Sequence, residues 1–166
     1  MVVLGIDPGL ANTGYGVVSS EQGRVRALED GLIATAAELS TERRLALIRE
    51  QVLAILDEHE CAAMALEELY FGQNARSAFA VGHARGVAML AAGERGVPCF
   101  SYTPQQVKAA VCGHGRAPKE QVGRMVKTLL ALPHEPASNH AADALAVALC
   151  HTNRAPLARA LAEAGA

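Results

Sequence analysis

A continuous apolar run opens the chain at residues 2–6 and ends at Asp7, Pro8 and Gly9. A short apolar run bounded by Pro and Gly is typical of a strand buried on both faces, with Pro8 and Gly9 forming the turn that ends it. Asp7 therefore falls at the end of a strand deep in a sheet, where a carboxylate is costly unless it is paired or bound to a metal ion. From these residues alone, two roles stay open for Asp7: capping the turn, or binding a metal or acting in catalysis.

The spacing of apolar residues predicts four further strands and five helices. The strands are expected at residues 13–19, 24–34, 62–66 and 97–101, and the helices at 41–59, 74–92, 103–112, 119–131 and from 138 or 139 onward. The first three strands form an antiparallel meander, and the strand at 62–66 is expected to be parallel to the first because a helix precedes it. Glu67 and Glu68 would then lie beside Asp7, at the sheet edge where open α/β sheets place their sites.

Two of the predicted helices have compositions that constrain their surroundings. The helix at 74–92 carries almost only small and apolar residues, so it must be covered on more than one side, either internally or by a second copy of itself. The last helix is entirely apolar over residues 144–150, which predicts that it is buried and that Asp143 enters the core as a second acid. His140 lies three residues before Asp143 and shares its face near the helix start.

Composition limits the classes of protein to which the chain can belong. With 166 residues, 51% hydrophobic and 19% charged, it predicts one globular domain over residues 1–153, followed by a tail at 154–166 that is either a frayed helix or disordered. No apolar segment approaches the roughly 20 residues that span a membrane, and no signal peptide is recognised, so we expect a cytoplasmic protein. The four cysteines lack C-x-x-C spacing, which favours reduced packing residues over disulfides or zinc ligands.

The net charge of −2 does not indicate a nucleic-acid binder, but the charge is unevenly distributed. Residues 101–130 carry a single acid, Glu120, against five basic residues: Lys108, Arg116, Lys119, Arg124 and Lys127. Such a patch can bind phosphates, especially where metal ions neutralise nearby acids, although a solvated helix face would have the same composition.

Three acids are expected to converge: Asp7, Glu67 or Glu68, and Asp143. Such a set would repel itself without cations, and oxygen-rich sites suit Mg²⁺ or Mn²⁺. Two such ions about 4 Å apart can activate water and stabilise the leaving oxygen in phosphodiester hydrolysis. His140 would add a nitrogen ligand or a proton carrier, although a single histidine on a helix is more often structural.

These stretches, taken in order, resemble the RuvC family of Holliday-junction resolvases, members of the ribonuclease H-like superfamily. The matching residues are 5–9 with 13–16, 66–74, 83–87, 106–108 and 141–145. The resemblance implies an α/β, ribonuclease H-like fold, with a mixed five-stranded sheet flanked by helices on both faces. It further implies a homodimer that resolves four-way DNA junctions in recombination and repair by paired symmetric nicks, using metal-activated water and two Mg²⁺ or Mn²⁺ ions per site. The RuvA-RuvB branch-migration complex is the partner that the resemblance implies.

The resemblance also assigns roles to individual residues. Asp7, Glu67 and Asp143 match three of the family's metal-binding acids, and His140 stands where the family usually has a fourth acid. Of the two neighbouring acids, Glu67 rather than Glu68 matches the family's residue, and only one of them can face Asp7 because adjacent strand residues point to opposite faces. One nitrogen ligand in place of a carboxylate predicts better use of Mn²⁺ relative to Mg²⁺. The candidate DNA contacts, from the resemblance or from charge and position, are Tyr70, Asn74, Arg76, Lys108, Arg116 and Lys119.

Two alternative functions stay open. Sugar-kinase and actin-type ATP-binding proteins share a similar first strand and turn, but they need a second phosphate loop and a second domain, for which this chain is short. A junction-binding module without catalytic activity would use the same basic surface, but it would not need the acids at positions 7, 67 and 143.

Overall fold

Three strands come first, helices and strands then alternate, and three helices come last in a computed structural model that describes residues 1–68 and 75–164, with side chains for 1–68 and 78–155. The strands are β1 (Val2–Asp7), β2 (Asn12–Glu21), β3 (Arg24–Ala34), β4 (Ala63–Glu67) and β5 (Cys99–Tyr102). The helices are α1 (Thr41–Glu58), α2 (Ala75–Glu94), α3 (Pro104–Cys112), α4 (Lys119–Leu129) and α5 (Asn139–Ala164). The helix α5 thus continues past residue 153, where the predicted domain ends.

The five strands form one mixed sheet in the order β3-β2-β1-β4-β5. Strands β1, β2 and β3 pair antiparallel as consecutive hairpins, and β4 and β5 join parallel to β1 after helical crossovers. The α/β fold with a mixed five-stranded sheet is therefore confirmed. In the parallel pair, Ile6 lies beside Leu66, so that β1 and β4 end at the same edge of the sheet.

Alternation along each strand divides the interior into two cores. Val3 of β1 belongs to the core that the sheet shares with α3, α4 and α5. Leu4 and Ile6 belong to the core on the opposite face, which is shared with α1 and α2. The apolar run of α5 fills the first core, with Leu145 and Leu149 at most 1% exposed, as residues 144–150 predict. A strand covered on both faces is the reason that residues 2–6 are uniformly apolar.

Local signals in the sequence set the helix starts that matter for the site. The capping box of α3 is formed by Thr103 and Gln106, whose side chains each bond to the backbone of the other. At the start of α5, Ser138 Oγ accepts a hydrogen bond from the Ala141 N–H at 3.0 Å. Ser138 is therefore the capping residue, which the sequence had left open between Ser138 and Asn139.

Helix α2 is buried on one side and open on the other. On the buried side, Ala84, Ala88 and Ala91 are fully buried against α1 and the sheet. The other side exposes large apolar side chains, with Phe79 69% and Leu90 55% exposed. Internal burial thus accounts for only one face of the helix, and the second face is free in a single protomer. Across residues 1–68 and 75–164, no helix combines the length and the hydropathy that crossing a bilayer requires.

Candidate metal and active site

The first two acids lie at the ends of neighbouring parallel strands. Asp7 is the last residue of β1 and Glu67 the last of β4, and the pairing of Ile6 with Leu66 brings these ends together. Ala65 packs in the core on the α5 side, so alternation directs Glu67 to that same face and Glu68 to the other. The charges of Asp7 and Asp143 act on the Glu67 carboxyl, which indicates that the three acids share one site.

Helix α5 brings the third acid and the histidine over the strand ends. His140 lies in its first turn, with Nδ1 2.7 Å from Asp7 Oδ2. Asp143 lies one turn further, where its Oδ2 accepts a hydrogen bond from the Lys119 ammonium at 2.6 Å. The structure therefore brings Asp7, Glu67, His140 and Asp143 to the same end of the sheet, from segments that are far apart in the chain.

Three glycines, whose role the sequence analysis missed, allow α5 to lie this close to the sheet. A Cβ atom on Gly14 would be 2.2 Å from the carbonyl group of His140, and one on Gly5 would be 2.0 Å from the Ala144 oxygen. Gly16 meets the Leu145 side chain in the same way, at 2.7 Å. A glycine inside a strand often marks a close approach of another backbone, and this signal was present in residues 5, 14 and 16.

The carboxylates of the site are held in an unfavourable state. Burial raises the pKa of Asp7, and the charge of Asp143 adds to this, although the hydrogen bond from His140 acts in the opposite direction. Burial also raises the pKa of Glu67, followed by the charges of Asp7 and Asp143. Lys119 and Lys108 partly offset this repulsion at Glu67. Partly buried carboxylates in such an environment are stabilised in their ionised form by a cation that binds between them.

The chemistry of the donor set suits divalent ions. Three carboxylates and one imidazole offer hard oxygen ligands and one borderline nitrogen, which is a set that Mg²⁺ and Mn²⁺ accept. A cavity of about 260 Å³ opens beside Glu67 and Asp143 and is lined by Lys108 and Lys119. An anionic substrate could enter there and reach both the acids and the ammonium groups.

A second group of ligand-type side chains lies on the opposite face of the sheet. Among the described side chains, only Glu29, Glu58 and His59 have ligand atoms that are all within 4.8 Å of one another, so the acids around Asp7 are more widely spaced. Glu29 already accepts a hydrogen bond from the Tyr15 hydroxyl at 2.6 Å and pairs with His59 Nε2 at 2.6 Å. The Glu29 carboxylate is therefore satisfied within this network by a hydroxyl and an imidazole. At the strand ends, Asp7 pairs with His140, and the neighbouring Asp143 pairs with Lys119.

The candidate DNA contacts are distributed unevenly over the described part of the chain. Lys108 on α3 and Lys119 on α4 line the cavity beside the acids, and Arg116 is exposed in the loop between these helices. Tyr70 and Asn74 lie outside the described residues, as does the side chain of Arg76.

Comparison with known proteins gives consistent matches over most of the chain. A family model described as crossover junction endodeoxyribonuclease RuvC matches residues 3–151. The curated crossover junction endodeoxyribonuclease RuvC of Moorella thermoacetica is 50% identical over 156 residues, which are 94% of this chain and 93% of that protein. The protein of the same name from Roseiflexus sp. is 44% identical over 160 residues, covering 96% of this chain and 95% of its own.

Solved structures give the same result. Thermus thermophilus RuvC in complex with Holliday junction substrate superposes with a TM-score of 0.91 at 40% identity, over 95% of this chain and 96% of that one. The yeast mitochondrial Holliday junction resolvase Ydc2 has a TM-score of 0.63 at 15% identity over 95% of this chain and 82% of its own, which shows a shared fold alone. The two alternative functions that the sequence leaves open find no support in these comparisons.

Proposed function

The chain belongs to the RuvC family of crossover junction endodeoxyribonucleases, and we infer that it is a metal-dependent endonuclease that resolves Holliday junctions. The observation that carries this inference is the meeting of Asp7, Glu67 and Asp143 at the carboxyl ends of two parallel strands. A phosphodiesterase site needs such a cluster of acids, and a module that only binds DNA does not.

The residues proposed to hold the divalent ions are Asp7, Glu67, His140 and Asp143. An ion bound there supplies Lewis-acid activation of water and neutralises charge on the leaving oxygen. Asp7 and Glu67 would supply neighbouring carboxylate ligands, because they end adjacent parallel strands and the charge of Asp7 acts on the Glu67 carboxyl. Two Mg²⁺ or Mn²⁺ ions per site are our proposal, with Mn²⁺ favoured by the nitrogen of His140.

His140 has two possible tasks that its position supports. Its Nδ1 is bonded to Asp7, so it can orient that carboxylate, and the remaining ring nitrogen can bind an ion or carry a proton. The imidazole is about half exposed, at 49%, and solvent can therefore exchange protons with it.

The substrate is a four-way DNA junction, and the basic residues around the cavity are proposed to bind its phosphates. Lys108 of α3 and Lys119 of α4 line the cavity beside the acids, and Arg116 is exposed in the loop that joins these helices. Phosphate contacts of this kind position the DNA without reading its sequence. Tyr70, Asn74 and Arg76 are proposed on the family resemblance and on charge to complete the DNA surface, with the Tyr70 ring stacking on a base.

A homodimer is proposed because two opposed strands must be cut. A two-fold dimer presents two identical sites, which suits the symmetry of a four-way junction. The exposed face of α2 is the proposed interface, and it carries Phe79, Met89 and Leu90. A Cβ atom added at Gly82 or Gly86 would have no atom of the described residues within 4 Å, so this face has room for a partner. Association with a RuvA-RuvB branch-migration complex stays an expectation from the resemblance.

The proposal is tested by replacing one carboxylate. In Asp7→Asn the side chain keeps its size but loses its charge, so we expect cleavage of a labelled four-way junction to be abolished while junction binding is retained. Asp57→Asn is the matched control, because Asp57 is an exposed acid that pairs with Arg95 away from the site. Full cleavage by Asp7→Asn in Mn²⁺ would exclude Asp7 as an essential ligand. Nicks that a ligase can seal would identify 5′-phosphate and 3′-hydroxyl ends.

A further inference from the structure

A lysine lies inside the acidic site at a position where a helix disfavours it. Lys119 is the first residue of α4, and its ammonium is 2.6 Å from Asp143 Oδ2. The positive end of a helix dipole repels a cation in the first turn, and a residue that breaks a local preference beside a functional site usually serves that site. The hydrogen bond to Asp143, together with the charges of Asp7 and Glu67, raises the pKa of Lys119. The lysine is thus held by the acids and not by its own helix.

We propose that Lys119 is an exchangeable counter-cation of the site, which neutralises Asp143 in the ion-free protein and releases it when a divalent ion binds. The proposal rests on the metal site inferred above. If Asp143 Oδ2 accepted a hydrogen bond from the ammonium and coordinated a divalent ion at the same time, the two positive charges would repel each other at close range. Uptake of an ion therefore includes the cost of breaking the pair between Lys119 and Asp143.

The surroundings of Lys119 make this exchange easy. Its side chain is 66% exposed, whereas that of Asp143 is only 28% exposed, so the lysine can swing outward while the carboxylate stays in place. A released ammonium remains at the rim of the cavity that Lys108 also lines. A DNA phosphate there would offer it a new partner.

This exchange couples ion binding to DNA binding. If DNA draws Lys119 away from Asp143, the affinity of the site for the ion rises, and by reciprocity the ion strengthens DNA binding by the same factor. The free protein would then hold its ions more weakly than the junction complex does, by this same factor.

The test measures Mn²⁺ affinity directly, by calorimetry on the full chain without DNA. We expect Lys119→Gln to bind Mn²⁺ more tightly than the unsubstituted protein by about twofold to fivefold, within the range for an exposed ion pair. Lys119→Arg, which keeps the charge, should stay close to the original affinity. Lys127→Gln is the matched control, because it removes a charge from the same helix and breaks a comparable pair with Glu135. An affinity of Lys119→Gln that is equal to or weaker than that of the unsubstituted protein would overturn the proposal.

Thermal unfolding of the same variants separates this role from a structural one. Without its counter-cation the acidic site repels itself, so Lys119→Gln should unfold at a lower temperature than the unsubstituted protein in EDTA, and the difference should vanish in saturating Mn²⁺. An equal deficit in both conditions would mean a structural role and would refute the exchange. If the unsubstituted protein neither binds Mn²⁺ nor cleaves, the metal site itself fails. If the unsubstituted protein binds Mn²⁺ and cleaves, but Lys119→Gln binds Mn²⁺ with the same affinity, the proposed exchange is wrong and the metal site is still supported.

Discussion

Replacing Gly14 by alanine perturbs the site without changing any of the proposed ligands. The new Cβ would lie 2.2 Å from the His140 carbonyl, whereas ordinary contacts begin at 3.4 Å, so the start of α5 must retreat by about 1 Å. That movement would stretch the bond from His140 Nδ1 to Asp7 Oδ2, now 2.7 Å, beyond hydrogen-bond length. A misplacement of about 1 Å at reacting groups can cost roughly 10²-fold in rate.

We therefore expect Gly14→Ala to reduce single-turnover cleavage of a four-way junction in Mn²⁺ by about 10²-fold. Overpacking of this kind costs about 1–3 kcal/mol, which lowers the melting temperature of a chain of this length by several degrees but leaves it folded. Gly123→Ala on α4 is the control: a Cβ there meets no atom within 4 Å, so stability should hold or rise and cleavage should persist. Cleavage by Gly14→Ala at the original rate would refute the idea that the helix start positions the site, and loss of junction binding as well would indicate general unfolding.

Three further predictions address the acids, the histidine and the interface. Because the folded-state pKa of Asp7 is raised, ionisation of Asp7 destabilises the ion-free protein as the pH rises through that pKa. Asp7→Asn removes this charge, so it should raise the melting temperature in EDTA near neutral pH. The gain in melting temperature should shrink in acid, where Asp7 is protonated. His140→Asp should lower cleavage in Mn²⁺ relative to Mg²⁺, and an unchanged preference in cleavage assays would contradict the nitrogen-ligand argument. Leu90→Asp should give monomers in light scattering, whereas Leu39→Asp, at a leucine that is also exposed, should leave the mass unchanged.

The parts of this fold that the sequence predicts are those with a local cause. The uniformly apolar residues of strand β1 predict that it is buried, and both of its faces are covered in the structure. The apolar run in α5 predicts the burial of that helix in the same way. The capping box at Thr103 is a contact between residues three apart, so it can be recognised without knowledge of the fold. Alternation along a strand needs no tertiary information, so it predicts that only one of Glu67 and Glu68 can face Asp7, and the family resemblance favours Glu67.

The contacts that the sequence does not predict join distant segments through flexible side chains. The bond between His140 and Asp7 spans 133 positions, and the pair of Lys119 with Asp143 depends on how α4 meets α5. The covering of α2 was left open because a helix of small residues is compatible with both an internal and an external partner. Periodicity reports the face that a helix buries, and it does not identify the neighbour.

The placement of the site depends on the core more than on the site residues. Leu145 and Leu149 anchor α5 in the interior, and the glycines of β1 and β2 set how closely its first turn approaches the strands. The helix would hold this position whichever side chain occupied residue 140, because that side chain is half exposed and contributes little to the core. The proposed ligand at this position can therefore change, with consequences for the preferred ion, while the backbone that presents it stays where the buried residues hold it.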